Sequence, residues 1–428
     1  MDDLIPADLQ PYAAGAESLS SAGFSPAGLS PAGFSPAAMS PAGGGAIRSH
    51  LFRPHLTSTG CTQPIDLLIA ARRAVDLIGR DDELSALAEW MASPLAISAR
   101  CVAGRAGSGK TRLAIELCAQ AEAQGWSAGF LMPDPALQDD ATAHEPRPVL
   151  AVVDRAGASL MLPQIRRLLI EAARSSGVKL RVLLLDRIAD ECRAGLGRIG
   201  LPADPAEPVW LGGLRSSADR DRLLGQTMAM AARLSGAPAC VPPAGAALDS
   251  GEPLHVQMAG LLCPHHGIAT ALAQPARRLA QQLAMREFAR LEHRARSMHL
   301  EPLLVTHFAA CVTLRGGCAA DAAPLLLEQE AQCLGLNLPG SGEYVADCIG
   351  DALLDEDRFA PVGPDLVGEA FIISALIRHS PEMQAGIIDR SLHHGGPVAT
   401  DTLRRLVHDH ACDDPAHAAR AWLRQAGG

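Results

Sequence analysis

The residues best suited to chemistry lie in one short stretch, GRAGSGKT, which runs from Gly104 to Thr111. Its spacing is G-x-x-x-x-G-K-[ST], and it lies between an apolar run and a helical pattern. Glycines let the backbone curl so that successive N–H groups face phosphate oxygens at a helix N-terminus. Lys110 is one of two lysines in 428 residues, and its compact ammonium suits β- and γ-phosphates. The stretch therefore predicts a phosphate-binding loop.

We expect this loop to hold ATP or ADP with Mg²⁺. The predicted nucleotide-binding residues of the loop are Gly104, Arg105, Ala106, Gly107, Ser108, Gly109, Lys110, Thr111 and Arg112. The Thr111 hydroxyl is one predicted Mg²⁺ ligand. Asp154 is the other, because it ends the apolar run VLAVVD and the carboxyl ends of parallel strands face the ligand crevice.

A further apolar run, LRVLLLDR, ends in Asp186 and Arg187. Arg187 would reach the same crevice, where its guanidinium could contact the γ-phosphate. A surface ion pair is equally compatible with the sequence. The predicted catalytic residues are Lys110, Asp154 and Arg187.

An α/β sheet is needed to position these residues. From Leu95 to Leu214, short apolar runs alternate with amphipathic helices, which predicts a P-loop NTPase fold: a parallel sheet with helices on both faces. No convincing strand series follows, so the rest of the chain is expected to be helical, and the family resemblance given below implies that it forms an α-helical lid and a helical or winged-helix-like C-terminal region. The predicted divisions are a disordered low-complexity tail with SPAGx repeats at 1–62, the nucleotide-binding domain at 63–215, the lid at 216–345 and the C-terminal domain at 346–428.

Five segments together resemble the STAND class of P-loop ATPases, which are signal-transduction relatives of AAA+, NACHT and NB-ARC proteins. They are LIGRDDELSAL, VAGRAGSGKTRLAIEL, PVLAVVD, LRVLLLDR and GEPLHVQMAG. The resemblance covers about residues 70–377. It implies a switch between ADP and ATP states that signals to a protein partner or self-associates in the ATP state.

The same resemblance implies further nucleotide contacts. Gly79 and Arg80 would lie against the adenine and ribose, and Gly251 and Pro253 would cover the base from the lid. Arg187 would be the sensor arginine. Hydrolysing relatives place a second acid after the one that matches Asp154, whereas this chain continues Arg155-Ala156-Gly157. We therefore expect a weak ATPase, slow or dependent on a partner, unless Asp186 supplies the missing carboxylate.

Two other functions remain open. One is a nucleotide-binding scaffold that never hydrolyses ATP. The other is an AAA+-type ATPase associated with DNA, of the origin-binding or loader type, in which one arginine-rich helix would contact phosphates. That helix carries Arg286, Arg290, Arg294 and Arg296. Glu287 and Glu292 interleave with them, which favours a self-paired surface, so nucleic acid is a possible but not a favoured partner.

Composition and charge limit the partners and the cellular compartment that we expect for this protein. The net charge of −10 argues against a broad non-specific nucleic-acid surface. The eleven cysteines include no Cys-x-x-Cys pair, which is typical of reduced thiols. The sequence MDDLIPADLQ lacks the apolar region of a signal peptide, and no apolar run is long enough to span a membrane. We expect a cytoplasmic protein with no membrane partner.

Overall fold

The computed structural model describes residues 51–52, 60–131, 147–154, 162–174, 179–199, 207–236, 251–355 and 358–427. The SPAGx repeats of the predicted tail lie outside these ranges, as do Arg155, Ala156 and Gly157.

A six-stranded sheet organises the first half of the chain. Its strands are β1 (Leu51–Phe52), β2 (Ile97–Ala103), β3 (Ser127–Leu131), β4 (Val149–Asp154), β5 (Leu180–Asp186) and β6 (Val209–Trp210). The order is β1-β3-β4-β5-β2-β6, with β1 antiparallel at the edge and the other five strands parallel. The predicted parallel sheet is thus confirmed. The edge strand β1 was not expected, since it falls within the stretch assigned to the tail.

Helices cover both faces of this sheet, as predicted. They are α1 (Asp81–Ala92), α2 (Lys110–Ala123), α3 (Leu162–Arg174) and α4 (Ala189–Ile199). All seven residues of β5 are buried, and their side chains alternate between two cores. Leu183 and Leu185 pack with α1 and α2, whereas Val182 and Leu184 pack with α3 and α4.

The second half is helical, as predicted. Its elements are α5 (Ser217–Ser235), α6 (Pro253–His266), α7 (Ile268–Leu272), α8 (Ala276–Ser297), α9 (Pro302–Arg315), β7 (Cys318–Ala319), α10 (Ala323–Cys333), α11 (Gly342–Leu353), β8 (Leu354–Asp355), β9 (Arg358–Phe359), α12 (Asp365–Leu376), α13 (Pro381–His410) and α14 (Ala418–Ala426). None of the helices in the described ranges combines the length and apolarity needed to cross a bilayer.

A winged-helix-like unit lies across the boundary predicted at residue 345. Helices α9, α10 and α11 accompany a three-stranded antiparallel sheet of order β7-β9-β8. The sequence of helix, strand, helix, helix and hairpin spans residues 302–359. Each of its strands has only two residues, which is too short for a periodic signal in the sequence.

A buried ionic network ties this unit to α13. Glu330 on α10 is 1% exposed, and its carboxylate accepts hydrogen bonds from His307 (2.9 Å) and Arg390 (2.7 Å). Arg315 lies 3.4 Å away. Burial alone would raise the pKa of Glu330, but His307 and Arg390 hold it at about 2. Burial alone would lower the pKa of His307, but Cys311 and Glu330 raise it to about 10. The carboxylate and the imidazolium are therefore both charged at neutral pH.

Glu330→Gln should lower the free energy of unfolding by about 3–5 kcal/mol, because it leaves buried cations without their counter-charge. The difference from wild type should be largest between pH 4.5 and 6.5. It should shrink as the pH falls towards 2, where Glu330 is protonated, and as the pH rises towards 10, where His307 loses its proton. Denaturant titrations across this range measure both effects.

Asp190→Asn is the matched control, since it removes an exposed acid that pairs with Arg193 at the surface. Its cost should stay within about 1 kcal/mol. A Glu330→Gln cost no larger than that of the control, or one that does not vary with pH, would contradict the role given to Glu330.

Candidate functional site

The loop Gly104–Thr111 joins β2 to α2, and its shape requires glycine. Gly107 and Gly109 have φ values of +79° and +94°, which disfavour residues with a side chain. A Cβ atom on Gly104 would lie 2.5 Å from the carbonyl oxygen of Leu211, and one on Gly107 would lie 2.8 Å from Leu254 Cβ. Leu211 and Leu254 therefore leave no room for a side chain at Gly104 and Gly107.

Lys110 folds over this loop. Its Nζ donates hydrogen bonds to the carbonyl oxygens of Gly104 (2.6 Å) and Arg105 (2.9 Å). Burial lowers the pKa of Lys110, and the nearby charge of Asp154 opposes this. The Ser108 hydroxyl is fully buried, and no hydrogen-bond partner for it occurs among the described residues. An ammonium, an unsatisfied hydroxyl and the N-terminus of the 14-residue helix α2 thus converge here, as a phosphate group requires.

The two predicted metal ligands are in contact. Asp154 ends β4, and its Oδ2 accepts a hydrogen bond of 3.1 Å from the Thr111 hydroxyl. A carboxylate and a hydroxyl are hard oxygen ligands of the kind that Mg²⁺ prefers. This donor set fits a Mg²⁺ ion beside the loop.

Arg80 holds the loop rather than pointing into open space. It is 4% exposed, and its guanidinium donates to the carbonyl oxygens of Ser108 (3.1 Å) and Gly212 (2.5 Å). Gly79 precedes it with a φ of +63°. A cavity of about 780 Å³ lies beside Arg80 and Arg112, between the segment that precedes α1, the helix α2 and the end of α5.

The start of α6 contacts the loop directly. Leu254 N donates to the carbonyl oxygen of Gly107 (3.1 Å), and Gly251 O accepts from Leu214 N (2.6 Å). Pro253 Cγ lies 4.0 Å from the position of a Cβ on Gly109. Of the predicted residues, Pro253 therefore lies beside the loop, and Gly251 lies against residues 213–214, which follow β6.

Glu252 between them was not predicted. Burial raises its pKa, whereas Arg105, Arg80 and Lys110 lower it. When ionised, Glu252 would offset part of the positive charge that these three cations give the site. No spacing rule distinguishes this residue in the sequence.

Arg187 forms ion pairs with three acids from the C-terminal half of the chain. It hydrogen-bonds Asp409, and its NH2 lies 3.6 Å from Glu369 Oε1 and 3.8 Å from Asp365 Oδ2. The sequence left open a surface ion pair, but the pairs that Arg187 makes are largely buried, and its contact with a γ-phosphate stays a prediction. Asp409 is 222 residues away along the chain, so no local pattern could reveal it.

Asp186 closes the turn after β5. Its Oδ1 accepts a hydrogen bond of 2.6 Å from Arg187 N. The pKa of Glu191 is raised by burial, by the charge of Asp186 and by a hydrogen bond to Asp186. Asp186 lies one strand away from Asp154, since β4 and β5 are neighbours.

The arginines of α8 are paired with acids, as the sequence favoured. Arg290 pairs with Glu287, Arg294 with Asp351 at 2.8 Å, and Arg296 with Glu292 at 3.1 Å. These contacts reduce the positive charge that the helix presents to solvent.

A second cluster has the chemistry of a metal site but a different environment. His307, Cys311 and Glu330 offer ligand atoms within 4.8 Å of one another. Arg390 donates to both oxygens of Glu330, at 2.7 and 3.2 Å. A guanidinium at this position repels a cation, so we assign the cluster to the structural network described above.

No protein family matches the chain, and none of the curated proteins matches it. Three solved structures align with most of it. The Aeropyrum pernix ORC1 protein in complex with DNA has 14% identity and a TM-score of 0.32, with coverage of 72% of this chain and 96% of that one. The A. pernix ORC2 protein (ADPNP-ADP complexes) has 16% identity and a TM-score of 0.30, and the alignment covers 75% of this chain and 98% of that one. CDC6P from Pyrobaculum aerophilum has 11% identity and a TM-score of 0.31, and the alignment covers 72% of this chain and 98% of that one. These values are too low to assign a function.

Gly107→Ala should destabilise the protein more than Gly125→Ala does. Both positions have positive φ, which costs about 1–2 kcal/mol for a residue with a side chain. A Cβ at Gly107 also overlaps Leu254, at a further cost of about 1–3 kcal/mol, whereas nothing lies within 4 Å of a Cβ at Gly125. Denaturant unfolding compares the two variants. Equal costs would show that the loop and α6 are not in the close contact described.

Proposed function

We propose that this protein is a P-loop nucleotide switch that binds ATP and ADP with Mg²⁺. The observation that carries the proposal is the contact between Thr111 at the start of α2 and Asp154 at the end of β4, beside a loop that Lys110 spans. These residues match the G-x-x-x-x-G-K-[ST] pattern and an acid on a nearby strand. A bound nucleotide would replace the carbonyl contacts of Lys110 with phosphate contacts.

Each part of the site has a proposed role. The backbone N–H groups of the loop and Lys110 bind the phosphates, and Ser108 offers its hydroxyl. Thr111 and Asp154 hold Mg²⁺, which would neutralise phosphate charge when bound. Gly79 and Arg80 lie on the side proposed for the base and ribose, and α6 with Gly251 and Pro253 closes the site from the lid.

Hydrolysis is proposed to be slow or dependent on a partner. Asp186, at the end of the neighbouring strand β5, is the candidate for a second acid near Asp154. Its carboxylate, however, already accepts a hydrogen bond from the backbone N–H of Arg187. A group engaged in this way is poorly placed to orient an attacking water. A protein that retains intact ATP for hours would instead be a non-hydrolysing scaffold.

The finer classification is still a choice between two proposals. A STAND-type signalling switch follows from the sequence resemblance. A DNA-associated AAA+ ATPase fits at least as well with the winged-helix-like unit at 302–359, an architecture that many DNA-binding proteins share. The acid-paired arginines of α8 do not support phosphate contacts by that helix. Salt-sensitive binding to duplex DNA would favour the AAA+ proposal, and nucleotide-dependent self-association without DNA binding would favour the switch.

Lys110→Ala should weaken ADP and ATP binding by about 10- to 100-fold, because hydrogen bonds to a charged group contribute about 1.5–3 kcal/mol. Nucleotide that copurifies with the wild type should be absent from this variant. Lys179→Ala is the matched control, since it removes the other lysine, which bonds Ser93 O near the opposite end of the sheet. Equal affinity of both variants for nucleotide, or no binding by the wild type, would disprove the proposed site.

Asp154→Ala should weaken nucleotide binding by about 10-fold or more in Mg²⁺ and by less than about twofold in EDTA, because only the metal-bound complex loses a ligand. Asp190→Ala removes an exposed acid from the start of α4 and should change neither value. Titration calorimetry under the two conditions makes the comparison. Equal losses with and without Mg²⁺ would exclude Asp154 as a metal ligand.

A further inference from the structure

Three carboxylates of the C-terminal half surround one guanidinium beside the phosphate loop. We call Asp365, Glu369 and Asp409 the acidic cluster. Asp365 and Glu369 are four residues apart on α12 and share one helix face, and Asp409 lies near the end of α13. All three pair with Arg187. The cluster thus offers this arginine several anionic oxygens, as a terminal phosphoryl group does.

Arg187 is anchored close to the loop. The preceding residue, Asp186, accepts a hydrogen bond of 3.2 Å at its carbonyl oxygen from Gly104 N, the first amide of the loop. Arg187 and Asp365 both act on the pKa of Lys110, in opposite directions. The guanidinium is therefore close enough to the phosphate site for a charge placed there to compete for it.

The acidic cluster depends on Arg187 for part of its neutralisation. Glu369 is 1% exposed, and its carboxyl oxygens lie 3.6 Å from Arg187, Arg405 and His410, but within the described ranges they make no hydrogen bond. Burial and the charge of Asp409 raise the pKa of Glu369 well above its usual value, and Arg405 and Arg187 oppose this. Arg405 also serves Asp365 at 2.8 Å and Asp401 at 3.8 Å. If Arg187 left, Arg405 would have to serve these acids without it, because burial lowers the pKa of His410. Asp409, whose side chain is 9% exposed, would lose this counter-ion, which is costly for a buried carboxylate, so α12 and α13 would lose the charge that holds them at the end of β5.

We propose that the acidic cluster is an internal surrogate for the γ-phosphate, which holds Arg187 in the ADP state and yields it to the γ-phosphate of ATP. The inference rests on the proposed nucleotide function. ADP lacks the group that competes for Arg187, so α12 and α13 stay paired with Arg187 at the end of β5. ATP supplies that group and releases the two helices, which makes the C-terminal half the part of the protein that reports nucleotide identity.

The test is the affinity of Asp409→Asn for ADP and for a non-hydrolysable ATP analogue, each with Mg²⁺. Removing one competitor should tighten binding of the analogue by about 5-fold or more and leave ADP within about twofold. Asp365→Asn, at a half-exposed position, should act in the same direction and guards against a folding defect at Asp409. Asp413→Asn is the control, because this exposed acid pairs with Arg277 instead and should change neither affinity.

The variant Arg187→Ala tests whether Asp409 acts through Arg187. It should remove the preference for the analogue over ADP, and Asp409→Asn should have no further effect on that preference in the Arg187→Ala background. Amide hydrogen exchange in α12 and α13 should be faster with the analogue than with ADP in the wild type. In Asp409→Asn it should already be faster with ADP.

The outcomes separate the two proposals. If the wild type binds nucleotide but Asp409→Asn and Asp365→Asn shift both affinities equally or shift neither, the surrogate role is wrong and the nucleotide site stands. Unchanged exchange in α12 and α13 would also overturn the surrogate role. If the wild type binds neither nucleotide, both proposals fail.

Discussion

The parallel register of β2, β4 and β5 is the constraint on which the rest of the site depends. Ala103 pairs with Asp186, and Asp154 pairs with Leu185, so the three strands end at the same edge. Three residues far apart in sequence therefore emerge side by side: Gly104, Asp154 and Arg187. The strands can keep this register because their buried side chains alternate between two cores, and a slip of one residue would exchange the two faces.

Much of this edge could be predicted because its signals are local. Buried parallel strands give short apolar runs that end in an acid, as VLAVVD and LRVLLLD do. The loop between β2 and α2 has fixed glycines, since positive φ and close backbone contacts exclude other residues. The structure brings Lys110, Thr111 and Asp154 together as the spacing required, and their ligand roles remain predictions.

The C-terminal half was less predictable because its specific contacts are not local. Asp365, Glu369 and Asp409 look like ordinary helix-surface acids in the sequence, and only the fold places them around Arg187. The strands of the winged-helix-like unit, β7, β8 and β9, were not predicted because strands of two residues carry no period-2 signal. Strand β1 was not predicted for the same reason, since it too has only two residues.

Helix α6 and the helices α12 and α13 reach the same edge of the sheet through different kinds of contact, and this difference bears on the proposed switching. Helix α6 bonds the loop through backbone, from Leu254 N to Gly107 O, and such a bond has the same partners whichever nucleotide is bound. Helices α12 and α13 are held by charges on Arg187, whose preferred counter-ion depends on the anions nearby. Because a ligand shifts an equilibrium only through its differential affinity for the two states, the proposed switch would discriminate ATP from ADP through the charged contact. The lid would therefore close over either nucleotide, while the C-terminal helices respond to one.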